Sequence, residues 1–135
     1  MFFADLLGKH VLVIEDDYLQ ASALRITLEE QGSEVIGPYF DIDDGLAALD
    51  LETVDAAVLD VRINAKEVFP LADRLAERGV PFIFVTGYNR NVLPVRFDRS
   101  RCVLKPLMGD DIAVALTVSI LDSRTMTGAT VSTHN

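Results

Sequence analysis

The sequence predicts one α/β domain built on a five-stranded, mostly parallel, doubly wound sheet. Three observations predict it. Short apolar runs alternate with stretches of helical period along the chain. None of those runs alternates with period two, which is how strands buried on both faces read. The chain has 135 residues, half of them hydrophobic, enough for one core and too few for two.

Residues 1–8 read as an apolar lead-in that packs on the domain, without the basic region or small-residue cleavage site of a signal peptide. The strands are Val11–Ile14, Glu34–Ile36, Ala56–Val61, Phe82–Val85 and Cys102–Leu104, rich in Val, Ile and Phe. After the first strand, Ala21, Leu24 and Leu28 recur at helix spacing, with Asp17 as N-cap and Gly32 as the C′ stop. The run Asp41-Ile42-Asp43-Asp44 leads acidically into a second helix through Leu46, Ala47 and Leu49. Leu71, Ala72, Leu75 and Ala76 form a third stripe that ends at Gly79. Between the fourth and fifth strands, Pro94 and two Asn leave room for only a short or irregular helix. Gly109-Asp110-Asp111 opens the last helix, whose stripe is Ile112, Ala115, Leu116 and Ile120. The folded domain therefore spans 9–122, and the Ser/Thr-rich 123–135 reads as a disordered tail.

Bulk properties exclude several classes. Twelve basic against twenty-one acidic residues give a net charge of −9, which opposes binding to nucleic acid or an anionic membrane. No apolar run approaches the eighteen or so residues of a membrane span. The lone Cys102 rules out an internal disulfide and fits a reducing, cytoplasmic setting.

Ligands of doubly wound sheets bind outside the carboxyl ends of the strands, where strand order reverses. For the order 2-1-3-4-5 that point lies between the first and third strands, which end in Glu15-Asp16 and Asp60. Thr86-Gly87 follows the fourth strand and Lys105-Pro106 the fifth. Three converging carboxylates repel one another by about 3–4 kcal/mol per pair at an effective dielectric near 20. Such a cluster persists if it takes up a proton or a hard divalent cation. Oxygen-only ligands favour Mg²⁺, with Mn²⁺ as the alternative. Asp60 can then serve as a nucleophile toward phosphorus, Lys105 as the fixed cation, and the Thr86 hydroxyl and Gly87 amide as donors to the transferred group.

VLVIEDD, AVLDV, FVTG and VLKP, in this order and spacing, resemble the receiver domain of two-component response regulators over roughly residues 9–122. The resemblance implies the flavodoxin-like order 2-1-3-4-5 and a phosphoacceptor at Asp60. It implies Asp16 as direct metal ligand, Glu15 acting through water, and the backbone carbonyl of Arg62 as third protein ligand. Thr86 corresponds to the switch hydroxyl, Lys105 to the invariant lysine, and Pro106 to a cis Lys-Pro bond. The loop VRINAKEVF lacks the family's usual Pro and Gly. Arg62 stands where a smaller or polar residue is common, and Cys102 where many receivers carry a switch aromatic, leaving Tyr88 as the available substitute. ERGVPFIFVTGY and EVIGPYFDIDDGLAAL are further similar to stand-alone receivers with a Phe-x-Thr-Gly signature, associated with alphaproteobacterial stress signalling and kinases of the HWE/HisKA2 kind.

Taken singly, each residue has a plainer reading. Asp60 would be a strand-end turn acid, Thr86 a hydroxyl bonded to backbone, Lys105 a solvated lysine and Cys102 a small buried hydrophobe. His10 and His134 are too isolated to form a catalytic or metal pair. A haloacid-dehalogenase-like phosphohydrolase needs a second acid two residues after the nucleophile, where Arg62 stands. A flavodoxin-like cofactor binder needs a phosphate-cradling loop where EDDY would repel phosphate. A receiver-shaped module that no longer accepts phosphate is the third rival. The expectation is a bacterial, non-enzymatic single-domain response regulator. It receives a phosphoryl group from a sensor histidine kinase or histidine phosphotransfer protein and signals by protein contact or as a phosphate sink. Phosphorylation-dependent dimerisation is left open.

Overall fold

The computed structural model describes residues 1–87 and 92–134, the last ten of these by backbone alone. Among the described residues, seven strands and four α-helices follow one another: β1 (His10–Ile14), α1 (Tyr18–Glu30), β2 (Glu34–Tyr39), α2 (Ile42–Leu51), β3 (Ala56–Asp60), β4 (Arg62–Ile63), β5 (Lys66–Glu67), α3 (Phe69–Glu77), β6 (Phe82–Thr86), β7 (Cys102–Leu104) and α4 (Asp111–His134). The main sheet has the order β2-β1-β3-β6-β7 and is parallel throughout. Counted within that sheet, this is the expected 2-1-3-4-5, so the reversal of strand order falls between β1 and β3.

Period-two alternation divides the core into two layers. Leu12, Ile14, Ala57, Leu59 and Phe84 face α2 and α3. Val11, Val13, Ala56, Val58, Ile83 and Val85 face α1 and α4. Every residue of β3 is buried, which is why its run is continuously apolar until Asp60. The helix ends follow the sequence signals. Asp17 accepts from the Gln20 N–H and caps α1, Asp41 accepts from the Asp44 N–H and caps α2, and Gly32 and Gly79 follow α1 and α3 with φ of +80° and +69°.

Several expectations need correction. In α2 the buried residues are Ile42, Gly45, Ala48 and Leu49, and Ala47 is exposed; in α3 Phe69 joins the core while Ala76 is exposed. Alanine carries little apolar contrast, so its face is set by its neighbours. β2 extends to Tyr39 past a bulge in its pairing with β1, at a cis Gly37-Pro38 bond. The helical backbone of α4 runs on to His134, beyond Ser123 where irregular structure was expected. Residues 1–8 form a 3-10 turn, Ala4–Leu6, with Leu6 fully buried against the α1/α4 layer.

Between β6 and β7 lies a 3-10 turn, Val95–Phe97. Its Phe97 packs against Phe69, Phe82 and Phe84 at ring-centroid distances of 5.4–5.9 Å. Arg96 fixes the same turn to α3 through a two-pronged pair with Asp73 at 2.8 and 3.1 Å.

After β3 the chain makes an unanticipated antiparallel hairpin, β4–β5. Both of its turn residues have positive φ, Asn64 at 52° and Ala65 at 64°, as in a type I′ turn. Asparagine tolerates that region; alanine is strained there by about 1–2 kcal/mol. Ala65→Gly should raise stability by about 0.5–1 kcal/mol after its own unfolded-state entropy is counted, read as a higher urea midpoint.

His10 is structural. Its Nδ1 lies 3.0 Å from Asp55 and its Nε2 2.8 Å from Glu34, and among the described residues it joins no metal-ligating cluster. The hydrogen bond to Asp55, with Glu34 beside it, holds the imidazole above its ordinary pKa of 6.5, against the opposing effect of burial. Its stabilisation is therefore complete below about 6.5 and is lost as pH rises through the elevated folded value. In His10→Asn, the fall in urea midpoint between pH 5.5 and 8.5 should be smaller than in the wild type.

Candidate functional site

β1 and β3 are neighbours in register, Ile14 opposite Leu59, so the residues that follow them emerge side by side. Glu15 is held at the strand end by its N–H to the Tyr39 carbonyl (3.0 Å). Its side chain is fully buried, with Oε2 accepting the Asp17 N–H at 3.0 Å. Asp60 is 8% exposed, just enough to be reached from solvent. Asp16 is exposed. Oxygens of Glu15, Asp16 and Asp60 lie within 4.8 Å of one another.

Lys105 brings the opposite charge from the far side. Thr86 pairs with Leu104, and the Lys105 N–H donates to the Thr86 carbonyl at 2.8 Å, so β6 and β7 deliver the hydroxyl and the ammonium together. Lys105 Nζ lies 2.8 Å from Glu15 Oε1 and 3.0 Å from Asp60 Oδ2. Burial disfavours its charge, but the hydrogen bonds and charges of Glu15 and Asp60 outweigh that and hold the ammonium above its ordinary pKa. For Glu15, burial dominates and pushes the carboxyl up to about 7; the Lys105 hydrogen bond opposes this and the Asp60 carboxylate adds to it.

Three carboxylates against one ammonium leave a formal charge of −2, which one divalent cation cancels. All the donors are oxygens, and Asp16 and Asp60 are reachable, so the set fits a hard ion such as Mg²⁺.

The other expected residues fall around this cluster. Thr86 is buried at the end of β6. Arg62 opens the β4–β5 hairpin, exposed, its guanidinium turned along the hairpin toward the Ala65 carbonyl at 3.4 Å. The Lys105-Pro106 bond is cis. Cys102 is half-buried on β7, and Tyr88 lies outside the described residues. Gly87 is exposed without a positive φ, and a Cβ there would meet no heavy atom within 4 Å. The fold does not require glycine at that position, so Gly87→Ala should leave the melting temperature within about 1 °C of wild type, measured by circular dichroism.

Two features escaped the sequence. The ion pair between Lys105 and the buried Glu15 joins residues 90 positions apart and has no local signature. The links made by Asn64 were signalled only by asparagine's tolerance of left-handed turns. Its N–H donates to Asp16 Oδ2 at 2.9 Å and its side-chain amide to the Phe40 carbonyl at 2.8 Å.

Residues 11–117 match the family model for the response regulator receiver domain. The chain belongs to the response regulator receiver family. Among solved receivers it is similar to SdrG from Sphingomonas melonis Fr1, at 31% identity with a TM-score of 0.75, covering 86% of this chain and 98% of that one. SdrG in a BeF3-activated conformation matches at 31% identity and a TM-score of 0.71, over 85% of this chain and 97% of that one. The response regulator PhyR from Brucella abortus shares the fold at 21% identity and a TM-score of 0.81, over 92% of this chain and 52% of that one. Among curated proteins, the transcriptional regulatory protein PdtaR of Mycobacterium tuberculosis is 23% identical over 123 residues, 88% of this chain; the match spans 60% of the relative's length. Receivers generally serve in signalling, meeting histidine kinases or phosphotransfer proteins and binding Mg²⁺ at an acidic pocket. Among the described residues no helix is long and apolar enough to cross a membrane.

Proposed function

We propose that this receiver accepts a phosphoryl group on Asp60 from a phosphohistidine of a sensor kinase or phosphotransfer protein, and signals by a change in protein contact or drains phosphate from that donor. The observation that carries this reading is the meeting of Asp60, Asp16, Glu15 and Lys105 at one edge, three acids around one ammonium. A solvated surface acid would need no such surroundings.

An Asp60 carboxylate oxygen forms the bond to phosphorus while the phosphorus–nitrogen bond of the donor breaks, its electron pair returning to the imidazole. Asp16 and Asp60 would hold Mg²⁺ directly, Glu15 through water, with the Arg62 carbonyl as third protein ligand. Bound there, the ion offsets negative charge on the group in transfer. Lys105 supplies the second positive charge, and the Thr86 hydroxyl and Gly87 amide donate to the phosphoryl oxygens. The added dianion competes with Glu15 for Lys105 and draws on Thr86, the last residue of the β6–β7 pairing, so the strain passes into the loops after β6 and β7. Tyr88, two positions after Thr86 in the sequence, is the available substitute for the aromatic that Cys102 replaces.

The surroundings suit a protein donor. Tyr18, Leu19, Phe40 and Met108 are large, exposed apolar side chains on the loops and helix that border the acids. We place the reaction in a reducing cytoplasm, in keeping with the lone Cys102. A single-domain output and the Phe-x-Thr-Gly subgroup belong to the same reading, and the 31% identity to SdrG supports it.

Incubation with acetyl phosphate and Mg²⁺ should add one phosphoryl group to the intact mass of the wild type and none to Asp60→Asn. An unchanged wild-type mass would favour an inert interaction module. Steady phosphate release from varied monoesters would favour a hydrolase.

A further inference from the structure

We infer that Asn64 is a positioning residue for the cation site: it offers no ligand itself but fixes where Asp16 holds its carboxylate. The inference rests on the metal role proposed for Asp16. Glu15 is fully buried and tied to Lys105 and the Asp17 N–H, and Asp60 is paired with Lys105. Asp16 is the exposed member of the three, and its carboxylate accepts a hydrogen bond from Asn64.

Asn64 reaches the β1–α1 loop by two routes. Its N–H donates directly to Asp16 Oδ2 at 2.9 Å. Its side-chain amide donates to the Phe40 carbonyl at 2.8 Å, and the Phe40 ring stacks on Tyr18 with centroids 6.4 Å apart and planes at 28°. Tyr18 is the first residue of α1, two positions after Asp16. The hairpin, the β2–α2 loop and the β1–α1 loop are thus closed into one ring around the acids by a single side chain and its own amide.

The backbone makes this arrangement specific to asparagine. At φ 52° the residue must tolerate the left-handed region, which leaves mainly Gly, Asn and Asp. Glycine would keep the N–H aimed at Asp16 but lose the bond to Phe40. Aspartate would face the Phe40 carbonyl with a second acceptor. Among the three, asparagine alone supplies both donors. An exposed hydrogen bond adds little to folding, so its effect should appear in the placement of a ligand rather than in stability. Partners that orient metal ligands typically change affinity by about 10–100-fold when removed.

The test is Mg²⁺ titration by calorimetry of the wild type, Asn64→Gly, Ala65→Gly and Tyr18→Ala, with the melting temperature of each measured without the ion. Asn64→Gly should bind Mg²⁺ about 10-fold more weakly with an unchanged melting temperature, since glycine suits the turn. Ala65→Gly alters the same turn but neither hydrogen bond and should bind as the wild type does. Tyr18→Ala, which keeps both Asn64 hydrogen bonds and removes only the ring contact beyond Phe40, should weaken binding in the same direction by a smaller factor. Equal affinity of Asn64→Gly and wild type overturns the inference while leaving the metal site intact. Equal weakening by Ala65→Gly overturns it in favour of a general effect of the hairpin. Failure of the wild type to take up the ion overturns the reading of the site itself, and this inference with it.

Discussion

Repulsion among like charges at the carboxyl edge of the sheet is the constraint on which the rest of the molecule turns. β1 and β3 run parallel and adjacent, so Glu15 and Asp60 must emerge beside each other, and Asp16 follows. Placing Glu15 out of water makes its ionised form costly, which is why its carboxyl titrates near neutrality. Lys105 relieves part of this from the other edge of the sheet. Lys105 reaches the acids only once β7 has docked, so this relief of charge and the complete fold are tied together. What the lysine leaves over is the negative charge that draws a cation and, through it, a phosphoryl group.

The remainder of the fold keeps that edge in place. The central strands are covered on both faces, and close packing there gives the loops a rigid base. Gly45 in α2 shows how close the layers come: a Cβ would lie 2.6 Å from the Ile14 side chain, one residue before Glu15. On the other side of the site, the phenylalanine cluster and the Arg96–Asp73 pair hold the Val95–Phe97 turn against α3 and the sheet. Fixed packing thus surrounds the acids, while Gly87 and the exposed side chains above them remain open to a partner.

Much of this was legible in the residues. Buried parallel strands leave unbroken runs of Val and Ile, and Asp17, Asp41, Gly32 and Gly79 mark helix ends by mechanisms that act within a few residues. The acids, Thr86 and Lys105 were legible because each sits at a strand end and four motifs keep their spacing. What escaped depends on contacts across the chain or on weak contrast. A two-residue hairpin strand has no periodicity, and Asn64-Ala65 lacks the glycine that usually announces its turn. Ala47 and Ala76 were placed on the wrong faces because alanine fits either. Phe97 sits alone in an irregular stretch, and only the sheet reveals the three rings it joins.

The first residues have a practical bearing. Gln31 grips them through the Phe3 N–H and the Met1 carbonyl, Ser33 holds the Leu6 carbonyl, and Asp5 pairs with Arg124. These anchors all lie at the amino edge of the sheet, where β1 begins, with the length of that strand between them and Glu15. A surface tether or fluorescent label placed at Met1 therefore leaves the opposite end facing solution, an orientation suited to watching partners arrive.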